Sequence, residues 1–172
     1  MSVIARSELK KLIREGVIRI EPLAASQIGP ASVDLHISNR FWVYDKVRDI
    51  FHVDDAADYR KVSREVMVKD YFVLMPGESV MGITVEKITL PENICGRLEG
   101  RSRFARLGLM VHISAPFMQP GISNHQVLEI FNTGPNFLRL VPGERICQFV
   151  FDRCTGRATY TGTFANQQEG QW

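Results

Sequence analysis

The chain has 172 residues, 45% of them apolar and 23% charged, with a net charge of +2. This length and apolar content suffice for one core, and the near-balanced charge excludes chain-wide attraction to nucleic acid or an anionic membrane, although local clusters can still act. Apolar runs are only a few residues long and residues 1–11 lack a signal-peptide core, so the expectation is one soluble, cytoplasmic domain over 1–172 without nucleic-acid or membrane partners.

"SELKKLIREG" opens the predicted elements as a short helix, with Ser7 as N-cap, Leu9, Leu12 and Ile13 as the apolar stripe and Gly16 as the left-handed stop. From Ile18 onward the pattern changes to short alternating runs: "VIRIEPL", "SVDLHI", "RFWVYD", "YFVLMPGESVMGITVEKITLP" and "QVLEIFNTGPNFLRLVPGERICQFVF". So many short strands predict an antiparallel sandwich or barrel. Pro76-Gly77 and Pro142-Gly143, each followed by glutamate, suit the centre of type II turns and mark two similar hairpins. Residues 46–69 are charged and poorly periodic, which predicts a surface excursion.

"LEGRSRFARLGL" carries Arg101, Arg103 and Arg106, with Ser102 as a candidate N-cap and Gly108 as a stop, predicting a short helix after the GRS turn. Three uses remain open for it: a phosphate cradle, a solvated basic helix paired with Glu99 and other acids, or a weak nucleic-acid contact with Phe104 as its one stacking surface. "QVLEIF" reads as a core strand with Glu129 in its middle. Burial would make that carboxylate a stronger base, although a strand glutamate is also commonly exposed or structural. The last stretch, about 155–172, is polar and is either a frayed tail or a lid ordered by a ligand. Cys95, Cys147 and Cys154 form no C-x-x-C pair, and the four histidines show neither H-x-E nor H-E-x-x-H. No disulfide framework or side-chain metal site, zinc included, is expected.

The segment from "PGESVMGITVEKITLP" through "GRSRFARLGLMVH" and "APFMQPG" to "VLEIFN" resembles the central region of dCTP deaminases, members of the dUTPase-like superfamily. "ASVDLHISNRFWV" and, loosely, "YTGTFANQQ" extend the resemblance over nearly the whole chain. It implies a mainly β, distorted barrel or jelly-roll-like subunit, a homotrimer with active sites between subunits, and hydrolysis of dCTP to dUTP and ammonia. Mg²⁺ is implied on the triphosphate, without zinc, and dTTP is a candidate inhibitor.

The resemblance also implies residue roles. Glu129 is the proton shuttle, and Ser102, Arg106 and the Ala115 carbonyl hold the attacking water, with serine and arginines donated by one subunit and the glutamate by its neighbour. Arg101, Arg103, Phe104, Ala105 and Arg106 of the basic turn meet the nucleotide. Val127 and Leu128 line the base pocket beside Gln119, Gln148 reaches the nucleotide from a neighbouring strand, and Tyr160 and Gln167 close over the phosphates. Three departures stand out: Arg103 replaces a second serine, Gln119 stands where dUTPases and bifunctional relatives place an aspartate, and Thr163 and Phe164 replace a lysine and tyrosine. The glutamine predicts little dUTP hydrolysis. A dUTPase or bifunctional enzyme, and a non-catalytic deoxynucleotide-binding trimer, are the alternatives.

Overall fold

A computed structural model of the protein describes residues 2–46, 48–162 and 164–165. Twelve strands carry it: β1 (Ser2–Val3), β2 (Arg19–Glu21), β3 (Val33–Tyr44), β4 (Ser63–Met67), β5 (Phe72–Leu74), β6 (Ser79–Thr89), β7 (Ile94–Gly100), β8 (Leu109–Val111), β9 (Phe117–Met118), β10 (Ser123–Asn132), β11 (Leu138–Leu140) and β12 (Arg145–Arg153). Two α-helices, α1 (Arg6–Arg14) and α2 (Ser102–Ala105), and two single-turn 3-10 helices, Ala25–Gln27 and Tyr59–Lys61, complete the set among the described residues. The main sheet runs β8-β10-β6-β3-β12-β7-β9, with β1, β2 and β4 paired to its members, and curls into a half-barrel; β11 and β5 form a separate ribbon. The predicted mainly β, distorted-barrel architecture is therefore what the chain forms.

Alternation drives the curl. One face of each long strand buries residues such as Leu35, Ile37, Phe41, Ile88, Leu128, Ile130, Phe149 and Phe151 in one core, and each such side chain contributes about 1.5–3 kcal/mol. Leu9 and Leu12 of α1 join that core. The Pro-Gly turns form as expected: Gly77 and Gly143 have φ of 76° and 81°. In each, the following glutamate's N–H donates back to Met75 O or Val141 O, closing the turn.

Three expectations are corrected. Ser7 lies inside α1, whose N-cap is Ala5 without a side-chain bond; Ser102 likewise is the first residue of α2, capped by Arg101. "SVDLHI" and "RFWVYD" belong to one strand, because the polar interruption is absorbed as an irregularity between Ile37 and Phe41 where β3 meets β6. The charged excursion ends early, since β4 pairs with β3 along Arg40–Tyr44. Its arginine and glutamate are exposed along the added strand, a composition that hides a strand from periodicity.

Cys95 and Cys147 are buried and no disulfide forms. Burial, above all, holds the Cys147 thiol far above its ordinary range and pushes Cys95 up to about 11, so neither is a nucleophile near neutrality. Close packing is tightest at Gly96, where an added Cβ would lie 1.9 Å from the Phe149 ring. Gly96→Ala is expected to lower unfolding free energy by about 1–3 kcal/mol through overpacking, read as a reduced denaturation midpoint at unchanged slope.

Candidate functional site

A cavity of about 370 Å³ opens where β10 passes the loop after β8 and the carboxy-terminal segment, within the size range of small-ligand sites. Val127 and Glu129 reach it from β10, His112 and Ala115 from the loop, Gln119 from the turn after β9, and Tyr160 and Phe164 from the tail. The described tail is docked rather than frayed: Tyr160 N–H donates to Pro120 O at 3.0 Å, and Asn124 Nδ2 donates to Phe164 O at 2.7 Å. Thr163 and Gln167 lie outside the described residues.

Glu129 is less enclosed than expected, because strand alternation turns Leu128 and Ile130 inward and leaves the Glu129 side chain 36% exposed within one chain. Leu128 packs wholly in the core, so its side chain does not line the cavity as expected. Around the carboxylate the contacts are unusual. Glu129 Oε2 is buried without a hydrogen bond, 3.5 Å from His112 Nδ1, which is likewise buried and unbonded. The other ring nitrogen, Nε2, lies 2.6 Å from Ala115 O. The Tyr44 phenol is pushed up by burial and by the Glu129 charge.

His112, Tyr59, Phe117 and Met118 line the cavity without having been singled out in the sequence. His112 had a signal, its place inside "GLMVHISAP"; Tyr59 had none, lying in the charged excursion.

The basic turn builds a second cluster. Arg101 donates to Arg145 O at 2.9 Å and pairs with Asp34 at 3.4 Å, while Arg145 pairs with the same carboxylate at 3.5 Å. Gln148 Oε1 accepts from Ser32 Oγ at 2.8 Å beside them. Glu99 pairs with Arg97 instead of the turn's arginines. Ser102, Ala105, Arg103 and Arg106 are exposed, and Phe104 packs under the Arg101 guanidinium. None of these turn residues lines the cavity that holds Glu129. The structure thus divides the described residues of the sequence-predicted set between two surfaces of one chain.

A family model described as dCTP deaminase-like matches residues 3–154. The chain belongs to the dCTP deaminase-like family. Among family relatives, a Kocuria rhizophila protein named "dCTP deaminase, dUMP-forming" is 34% identical over 98% of this chain and 90% of its own. A Methanothermobacter thermautotrophicus protein of the same name is 37% identical over 92% of this chain and 82% of its own. In fold, the chain resembles the 2′-deoxycytidine 5′-triphosphate deaminase of Agrobacterium tumefaciens, with a TM-score of 0.70 at 20% identity over 89% of this chain. It spans about half, 48%, of that protein. The Staphylococcus bacteriophage 80alpha dUTPase has a TM-score of 0.51 at 14% identity, covering 85% of this chain and 96% of its own.

The two clusters predict different mutational behaviour within this dCTP deaminase-like fold. Arg101→Ala removes a partly buried ion pair and a bond to a main-chain carbonyl, and is expected to cost about 1–3 kcal/mol in denaturant unfolding. Arg103→Ala, at an exposed position, is expected to stay within about 0.5 kcal/mol of the parent.

Proposed function

We propose that the chain hydrolyses the 4-amino group of dCTP, giving dUTP and ammonia. The observation that carries this reading is Glu129 in the wall of a nucleobase-sized cavity, one carboxylate oxygen buried and unbonded, in a chain of the dCTP deaminase-like family. Glu129 takes a proton from water as the oxygen attacks C4, delivers it to ring N3, and transfers the second proton to the departing amine, so that one carboxylate serves as base and then acid. Ala115 offers its carbonyl to the water, and Val127 packs against the pyrimidine with Gln119 at the cavity edge.

Ser102 and Arg106 complete the water site from a neighbouring subunit. Within one chain they sit outside the Glu129 cavity, whereas a cyclic homotrimer can bring two unlike surfaces together at each interface. The exposed arginines, together with Phe104, Ala105 and Gln148, then meet the triphosphate and sugar, and Tyr160 and Gln167 cover them. Among the described residues no group of three His, Cys, Asp or Glu side chains is arranged to hold a metal. Mg²⁺ is proposed to arrive on the triphosphate, where it would neutralise phosphate charge. dTTP, with a similar triphosphate and ring, fits as a competitor for this site. No described helix is long and apolar enough to cross a membrane, and the proposed setting is the cytoplasm, where deoxynucleotides are interconverted.

A second reading has specific support: the relatives above are named dUMP-forming, which includes removal of pyrophosphate from the deamination product. Against it, the cavity presents Gln119, and an amide cannot accept a proton from water attacking a phosphate. The parent protein with dCTP and Mg²⁺ is expected to release ammonia with little pyrophosphate; absence of ammonia would sink the deaminase reading. Gln119→Asp is expected to raise pyrophosphate release from dUTP, measured by a coupled phosphate assay.

Glu129→Gln is expected to lower deamination at least about 10³-fold while nucleotide binding by calorimetry stays within about 3-fold, because the amide keeps shape without basicity. Mixing that variant with Ser102→Ala and reassembling the subunits tests the shared site. Independent assortment in a trimer restores about one quarter of parental activity, whereas a site within one chain restores none.

A further inference from the structure

His112 stands directly after β8 with φ of 62°, a backbone region uncommon for any residue with a side chain and often retained for function. Its own N–H donates to Glu129 O at 2.7 Å, which ties it to the strand carrying the carboxylate. The ring is buried, 4% exposed, with Nε2 held 2.6 Å from Ala115 O. A carbonyl oxygen only accepts, so Nε2 carries hydrogen. In a neutral ring Nδ1 would then be a bare lone pair, and it faces Glu129 Oε2 at 3.5 Å.

Both of those atoms are buried with no hydrogen-bond partner. Two acceptors so placed repel each other, and each is left buried and unsatisfied. A water bridging them would hold them about 4.5 Å apart, too far for the observed spacing. One proton between them removes the conflict.

We propose that His112 is a positioning residue for Glu129, carrying as imidazolium the proton that lies between Nδ1 and Oε2 and so presenting Oε1 to the cavity. Charge bookkeeping supports this placement. Among the described residues no lysine or arginine lines the cavity; the other titratable side chains there are Tyr59, His125 and Tyr160, with Tyr44 close enough to feel the Glu129 charge. Within one chain, among the described residues, the imidazolium is therefore the cation beside the carboxylate. Because it donates to Ala115 O as well, it holds the base and the loop carbonyl, the two groups proposed to handle water, in one arc. The effect on turnover rests on the deaminase reading; the shared proton does not.

The test uses the whole protein labelled with ¹⁵N-histidine, without nucleotide, near neutral pH. The expected spectrum shows both His112 nitrogens protonated in the parent, with Nδ1 losing its proton in Glu129→Gln while Nε2 keeps its own. His112→Gln retains a donor toward Ala115 O without a second nitrogen. It is expected to lower kcat for dCTP at least about 10-fold with KM changed less than about 3-fold. The acid side of its kcat/KM profile moves to higher pH, since losing a cation favours the protonated carboxyl. A lone-pair Nδ1 in the parent, or the same protonation in Glu129→Gln, overturns the proposal, as does parental kcat in a folded His112→Gln. If the parent releases no ammonia, the deaminase reading fails and the nitrogen spectra alone decide the proton. They also decide it if His112→Gln does not fold.

Discussion

The register of β10 between β6 and β8 decides which of its side chains reach the cavity and which enter the core. Ile130 pairs with Val111 on one side and Val80 on the other, and the register slips between His125 and Val127. The slip is stabilised locally, because the Gln126 N–H that would lose its ladder bond donates to Thr84 Oγ1 at 2.9 Å. Beyond it, Leu128 and Ile130 point into the core and Val127 and Glu129 into the cavity. Displacing the strand by one residue would exchange those faces, expose two core side chains and bury a carboxylate. The cost of an unpaired buried charge, several kcal/mol, makes this register the stable one. The same packing that stabilises the sheet therefore aims the Glu129 carboxylate into the cavity.

Two His-Glu pairs in the molecule show how differently one pair of residue types can be used. Glu86 is buried, and its oxygens accept from Gln27 Nε2 at 2.8 Å and His36 N–H at 2.9 Å, with the His36 ring alongside. Gln27 in turn closes on Asp34 O and on the Ala24 N–H. That network is satisfied, and such networks pin a core. At Glu129 the neighbouring histidine leaves buried atoms unpaired on both sides, and the carboxylate opens on a cavity instead of a core. The first arrangement spends its hydrogen-bonding capacity on the core; in the second, one carboxylate oxygen faces a histidine nitrogen and the side chain opens on the cavity.

Much of this was legible in the sequence, and the misses have physical causes. The strands, both Pro-Gly turns and α1 were visible because period-two alternation and positive-φ glycines are local signals. β4 was hidden by its exposed charge, and the join inside β3 by a polar interruption that only pairing with β6 can absorb. Glu129 is the odd residue of its strand, but an apolar run does not say which face a residue takes, and here the side chain takes the cavity side instead of the core. His112 was overlooked because a histidine without a metal-ligand spacing carries no signal by itself. Its meaning comes from Ala115 and Glu129, three residues and seventeen residues away along the chain.

Separation of the two clusters changes what the basic turn must accomplish within a subunit. Arg101 is committed to Asp34 and Arg145 O, so its charge is largely spent on holding the turn against β12 and β3. Arg103 and Arg106 remain exposed, with no ion pair among the described residues. Two exposed cations of like sign on one short helix repel modestly, an arrangement that self-stability does not favour. An anion between them reverses the sign of that term. A surface that is slightly unfavourable alone becomes favourable with a polyphosphate, which is the property the proposed triphosphate contact calls on. Among the described residues of one chain no carboxylate competes for that role, because Glu129 opens on a separate cavity and Glu99 pairs with Arg97.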